Sequence, residues 1–191
     1  NAQVATAQKE IDRLADTILL LKNAFPSTLI SLDTYYGEVA QFGIEQGADL
    51  INDISAGQFD PTLWTVVAQA KIPYILNYNR AQQNNSAQSF LHEKGIVSDA
   101  LSFLSEKRAA LQALGCTDVI IDPGFGFGKS LAENHELLQK LEHLHLLGAP
   151  LLVGVSRKSM ITKVLNCSAD EALNGTSILN TLAYTKGARL F

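Results

Sequence analysis

The chain has 191 residues, 47% of them hydrophobic and 18% charged, and carries a net charge of −4. That length and apolar content describe one domain able to bury a sizeable core, and the acidic balance argues against nucleic acid or an anionic membrane surface as partner, while a local basic pocket for a small anion stays open. No apolar run approaches the roughly 18 residues of a membrane span and no signal-peptide pattern is visible, and Cys116 and Cys167 make no disulfide framework, so the expectation is a cytoplasmic protein.

The chain opens inside the helical pattern "AQKEIDRLADTILLLKNAF". Short apolar or β-branched runs follow and predict strands: "TLISLD" (28–33), "DLINDI" (49–54), "PYILNY" (73–78), "DVIID" (118–122), "PLLVGVS" (150–156) and "ARLF" (188–191). Helical patterns separate them at 36–46, 61–70, 95–114, 130–146 and 169–186. Asp60 followed by Pro61 reads as an N-cap and a first helical residue. Gly47, Gly115, Gly148 and Gly187 each fall between a helix and a strand, where a left-handed C-cap glycine belongs. Strands this apolar are covered on both faces and so pair in parallel. Strict alternation with one helix per crossover leaves a doubly wound open sheet or a (β/α)8 barrel.

Polar residues favour the barrel. Asp33, Asn52, Asn77, Asp122 and Ser156 all sit where a strand gives way to its loop, the end on which barrel enzymes build their sites. The plainer alternative for any one of them is a cap on the next helix or turn.

The stretch "IDPGFGFGKS", Ile121 to Ser130, resembles a phosphate cradle but fails both common tests. A Walker loop needs a glycine six residues before its lysine, and six before Lys129 stands Pro123. The dinucleotide fingerprint needs a third glycine where Lys129 or Leu131 stands. What remains is a strand ending in a carboxylate, a glycine-rich turn and a helix, with Lys129 read as a surface cation. His92, His135, His143 and His145 show no metal-ligand spacing and read as surface or packing residues, with His143 and His145 on opposite sides of a helix.

"SLDT", "INDISAG", "DPGFGFGKS", "LLVGVSRKSMI" and "LNGTSILNTLAYTKGA" stand in the order and spacing of the dihydropteroate synthase family, which the whole chain resembles. The resemblance implies a (β/α)8 TIM barrel of class α/β, seen here as a partial barrel of about strands 3 to 8. Residues 1–191 would then be a single pterin-binding barrel domain lacking its first two strands and the end of the last. It implies a transferase that condenses 4-aminobenzoate with a hydroxymethyl-dihydropterin diphosphate and releases pyrophosphate. Mg2+ would assist, its ligands expected mainly in segments absent from this chain, and a homodimer stays open. By the same resemblance Asp122 takes the pterin N–H edge, Asn52 the neighbouring edge and Asp33 the developing positive charge. Lys158 contacts both substrates, Gly154 lets the pterin approach the backbone, Phe127 walls the aminobenzoate ring and Ser159 seats its carboxylate. Asp33 and Lys158 are the expected catalytic residues. The chemistry agrees, since a carboxylate accepts two N–H bonds at once and a fixed charge stabilises one that develops.

One segment departs from the family. Where most members read Met-His-x-x-Gly after the fifth strand, this chain has "ILNYNRA", with Asn77 for the Met that touches the pterin face, Tyr78 for the His and Ala81 for the Gly. A buried amide must find its own partners. This departure keeps open a catalytically weak pterin-binding relative, and the shared barrel keeps open a corrinoid-linked pterin methyltransferase domain. The polar run "AQQNNSAQS" that follows predicts a mobile loop.

Overall fold

The computed structural model describes residues 5–82 and 95–191. Most of the polar segment 81–89 and His92 lie outside them. The chain divides into two compact units, Asn1–Leu76 with Arg108–Val119, and Asn77–Lys107 with Ile120–Phe191.

In the first unit, α1 (Ala7–Leu14) and α2 (Thr17–Ala24) precede β1 (Ser31–Asp33), α3 (Gly37–Glu45), β2 (Leu50–Asp53), α4 (Thr62–Ala70) and β3 (Tyr74–Asn77), whose last residue enters the second unit. The strands pair in parallel, as their apolar character requires: Ser31 to Asp33 lie against Leu50 to Asn52, and Ile51 to Asp53 against Tyr74 to Leu76. Leu32, Ile51, Val39, Leu63 and Val67 fill the core between these strands and helices.

The second unit holds most of α5 (Ile96–Ala113) and of β4 (Val119–Asp122), then α6 (Leu131–Gln139), α7 (Ser159–Leu165) and α8 (Leu173–Thr185). In the first unit's sheet β1, β2 and β3 follow one another in chain order. Every residue of β3 and β4 is buried, as strands covered on both faces must be.

Five expectations need correction. The run 150–156 is not a regular strand: it makes isolated parallel bridges, Ile121 with Leu151 and Leu152 with Leu190, and the predicted strand at 188–191 contributes no more than that second bridge. Gly154 interrupts the apolar run, and glycine in a strand interior weakens pairing. The helix predicted over 130–146 stops at Gln139 and continues as a 3-10 helix, Leu141–Leu147, which holds His143 and His145. Leu141, Leu144 and Leu147 are all buried, and their spacing of three suits a 3-10 helix better than the 3.6 period of an α-helix. The helix predicted over 169–186 starts as a 3-10 turn, Asp170–Ala172, before α8. Pro61 flanks α4 rather than opening it.

Asp60 nevertheless caps, and does so twice. Its carboxylate accepts the Thr62 N–H at 3.0 Å at the start of α4 and the Gly37 N–H at 2.7 Å at the start of α3. Burial pushes the carboxyl up, but the Thr62 hydroxyl and these two N–H groups outweigh it and hold Asp60 below its ordinary value. A lowered carboxyl stabilises the fold above the ordinary carboxylate range and loses that contribution as pH falls through the folded-state value. Asp60→Ala should therefore cost about 1 to 2 kcal/mol at neutral pH, read as a lower urea midpoint. An unchanged midpoint would show that the two helix starts are satisfied without it.

Candidate active site

The second unit carries the glycine-rich turn. β4 delivers Asp122 at its end, 8% exposed. One carboxylate oxygen, Oδ1, accepts the Gly124 N–H at 2.8 Å, and the other, Oδ2, accepts the Asn77 amide at 2.7 Å from the end of β3. Gly124 adopts φ 64°, and a Cβ there would strike the Tyr78 carbonyl. Gly128, at φ 65°, would strike the backbone of Ala81 in the same way. The two glycines are thus required by handedness and by backbone approach.

Lys129 is not a surface cation. Its Nζ turns inward, donates to the carbonyls of Tyr78 and Gly124 at 2.7 Å each, and lies 4.4 Å from the centroid of the fully buried Tyr78 ring. Asn134 holds the turn from below: its Oδ1 accepts the Gly126 N–H at 2.7 Å and its amide donates to the Ser130 carbonyl at 2.7 Å. Sequence reasoning overlooked Asn134, although a signal was there. It is a polar residue on the apolar stripe that Leu137, Leu138 and Leu141 continue, and it is 3% exposed. Ser130 and Glu133 add a capping box to α6.

Burial pushes the Lys129 ammonium down to about 7, with the charge of Asp122 opposing. A lysine lowered in the folded state makes the unfolded chain bind more protons between that value and the ordinary 10.5, so stability rises with pH across this window. Lys129→Met should flatten the pH dependence of the melting temperature between pH 7 and pH 10 and loosen the turn. An unaltered profile in the variant would assign that dependence to other groups.

After Val155 the chain turns through Arg157, which takes the left-handed conformation at φ 52° and donates its N–H to the Thr176 hydroxyl at 2.9 Å. This turn aims Lys158 back at the glycine loop. Its Nζ donates to the Phe125 carbonyl at 2.6 Å and lies 4.9 Å from the centroid of the Phe127 ring. Ser159 is the first residue of α7. Phe125, Gly126, Phe127, Lys158 and Ser159 line an open cleft of about 210 Å³. A Cβ added at Gly154 would have the Lys158 ammonium within reach at 3.9 Å, an ordinary contact distance.

Burial raises the Asp122 carboxyl, against the Gly124 N–H, the Lys158 charge, the Asn77 amide and the Lys129 charge, which all pull it down. Burial also lowers Lys158, against the pull of Asp122. The result is a buried carboxyl in the field of Lys158, whose ammonium lies over the Phe127 ring. An ionised carboxylate has about four acceptor positions. The two bonds made within the chain therefore leave Asp122 able to accept two N–H groups of a ligand.

In the first unit, Asp33 and Asn52 are register partners on β1 and β2, and the Asn52 amide donates to Asp33 Oδ1 at 2.6 Å. Asp33 is exposed and Asn52 half-buried. The next residue, Asp53, is fully buried and serves the backbone instead, accepting the N–H groups of Ser55 and Gly57 and the Tyr74 hydroxyl and so shaping the "DISAG" turn. Ser156 is exposed.

A family model described as "Pterin binding enzyme" matches residues 1–191. A dihydropteroate synthase of Streptococcus pyogenes is 37% identical over 98% of this chain and 69% of its own length. The chain belongs to the dihydropteroate synthase family of pterin-binding enzymes. Solved structures of the family agree. Xanthomonas albilineans dihydropteroate synthase with 4-aminobenzoic acid superposes with a TM-score of 0.88 at 30% identity, covering all of this chain and 67% of that one. The same enzyme in complex with 7,8-dihydropteroate gives 0.86 at 30% identity, covering 98% of this chain and 71% of that one. These likenesses establish the α/β barrel class for the dihydropteroate synthase fold seen here.

Proposed function

We propose that the protein condenses 4-aminobenzoate with 6-hydroxymethyl-7,8-dihydropterin diphosphate, releasing pyrophosphate, and that residues 1–191 act as one pterin-binding domain of a cytoplasmic enzyme. A carbon–nitrogen bond forms at the hydroxymethyl carbon as the bond to pyrophosphate oxygen breaks, and the arylamine loses a proton. Asp122 accepts two N–H bonds from the pterin's amino-pyrimidine edge. Lys158 donates to the pterin carbonyl and lies beside the incoming amine, with Gly154 leaving room for the ring. Phe127 walls the aminobenzoate ring and Ser159 receives its carboxylate. Asp33 and Asn52 keep the roles the resemblance gives them, charge stabilisation and the neighbouring pterin edge. What supports this reading is the cleft in which Phe127, Lys158 and Ser159 meet.

Among the described residues no group of three or more His, Cys, Asp or Glu side chains is arranged to hold a metal ion. Mg2+ is commonly bound by one or two carboxylates together with substrate phosphates, so any Mg2+ would be held chiefly by the diphosphate of the substrate. The deciding experiment is a calorimetric titration with the pterin diphosphate followed by a pyrophosphate-release assay with 4-aminobenzoate. Absence of pterin binding would reject the reading, and binding without pyrophosphate release would identify a weak pterin-binding relative.

A further inference from the structure

The family resemblance leaves Asn77 as the residue out of place, an amide where an apolar side chain touches the pterin face. In the structure it is 1% exposed, and its Nδ2 donates to Asp122 Oδ2 at 2.7 Å. Its Oδ1 is buried without a hydrogen-bond partner among the described residues. An unpaired buried acceptor is a net cost, and a methionine or leucine would avoid it. The surroundings accommodate the amide nonetheless. A Cβ at Gly124 would lie 2.8 Å from Asn77 Oδ1, so the glycine makes the room that this oxygen occupies. Among the described residues, the side-chain hydrogen bond that offsets the cost is the one to Asp122.

We propose that Asn77 is a positioning residue for Asp122: its amide N–H fixes the plane of the carboxylate and favours its charged, acceptor-only form, the form that can take two N–H groups of a bound amino-oxo-pyrimidine ring. The orientation of the amide follows from chemistry, because its carbonyl turned toward a carboxylate would set acceptor against acceptor. Four groups act on Asp122 in the same sense, the Gly124 N–H, Lys158, the Asn77 amide and Lys129, and burial opposes them. Lys129 in turn feels Arg80 and Glu133, which form an ion pair. The departure at position 77 is then a substitution that supports the site rather than one that disables it. The inference rests on the proposed function for the identity of the ligand, but not for the behaviour of Asp122.

Two variants test it. Asn77→Leu keeps approximate volume and removes the donor, and Asn77→Asp keeps shape and replaces the donor by a like charge. The readouts are the titration of the Asp122 carboxyl by carbon-13 NMR in the unliganded protein and pterin affinity against pH. Asn77→Leu should move the Asp122 midpoint upward by about half a pH unit or more, and Asn77→Asp should move it further. Pterin affinity near neutral pH should fall about fivefold in Asn77→Leu, and its acid loss should shift with the same midpoint. A residue that fills space alone would leave the midpoint in Asn77→Leu where it is, and that result would overturn the proposal; the Asn77→Asp shift carries the added like charge as well. Should Asn77→Leu fail to fold, Asn77→Ala removes the same donor with less bulk and its midpoint is read in the same way. A shifted midpoint in a protein that does not bind pterin would support the positioning role and reject the proposed substrate instead.

Discussion

Asp122→Asn should weaken pterin binding by about tenfold to a hundredfold while the protein stays folded. The substitution replaces an acceptor-only group by one with two donors, so one ligand N–H meets an N–H and the buried mismatch costs about 1 to 3 kcal/mol. The Asn77 amide adds to the effect, because it already donates to Asp122 Oδ2. Retention of the fold follows from the sign of the titration. The Asp122 carboxyl is raised by burial, and a raised carboxyl contributes stability below its unfolded value that is lost as pH rises through the folded one. The neutral amide avoids the desolvation that raises the carboxyl, so the fold should survive the substitution. Lost affinity in a protein that still unfolds cooperatively is the expected pair of results. Wild-type affinity by calorimetry would remove Asp122 from the pterin site.

Lys158→Ala should lower kcat/KM by about a hundredfold or more, the scale observed when a donor aimed at developing charge is removed. Nζ is held by the Phe125 carbonyl and lies over the Phe127 ring, at the rim of the cleft. Truncation therefore removes both a hydrogen-bond donor and the cation that faces the aromatic wall. It also takes away one of the charges that hold Asp122 down, so the acid limb of pterin binding should move upward in the same variant. Lys158→Arg should restore little, because a planar fork does not reproduce a point charge on a flexible stem. A residue merely starting α7 in solvent would tolerate all of this, and wild-type turnover in Lys158→Ala would support that plainer role.

How far these residues were legible in the sequence differs from one to the next. Asp33, Asn77 and Asp122 end β1, β3 and β4, as the apolar runs with polar ends predict. Gly47, Gly115, Gly148 and Gly187 all take positive φ after helices, as their placement between patterns requires. These features are local: a strand covered on both faces needs an unbroken apolar run, and a left-handed cap needs glycine. The break of the 130–146 pattern at Lys140 was visible only as a spacing of three among leucines, which a helical reading absorbs too easily.

The sequence by itself determined the alternation from β1 to β4, the parallel pairing, the family, and that Asp33, Asn77 and Asp122 end their strands, because each is written in short-range pattern. The tertiary structure decided how those residues are used. Lys129 is a loop clamp because three carbonyl oxygens, of Tyr78, Gly124 and Phe127, converge on its ammonium. Asn77 serves Asp122 across 45 positions of chain, and Asn134 anchors a turn eight residues before it. Hydrogen bonds and desolvation depend on what surrounds a side chain in space, and no local period carries that information.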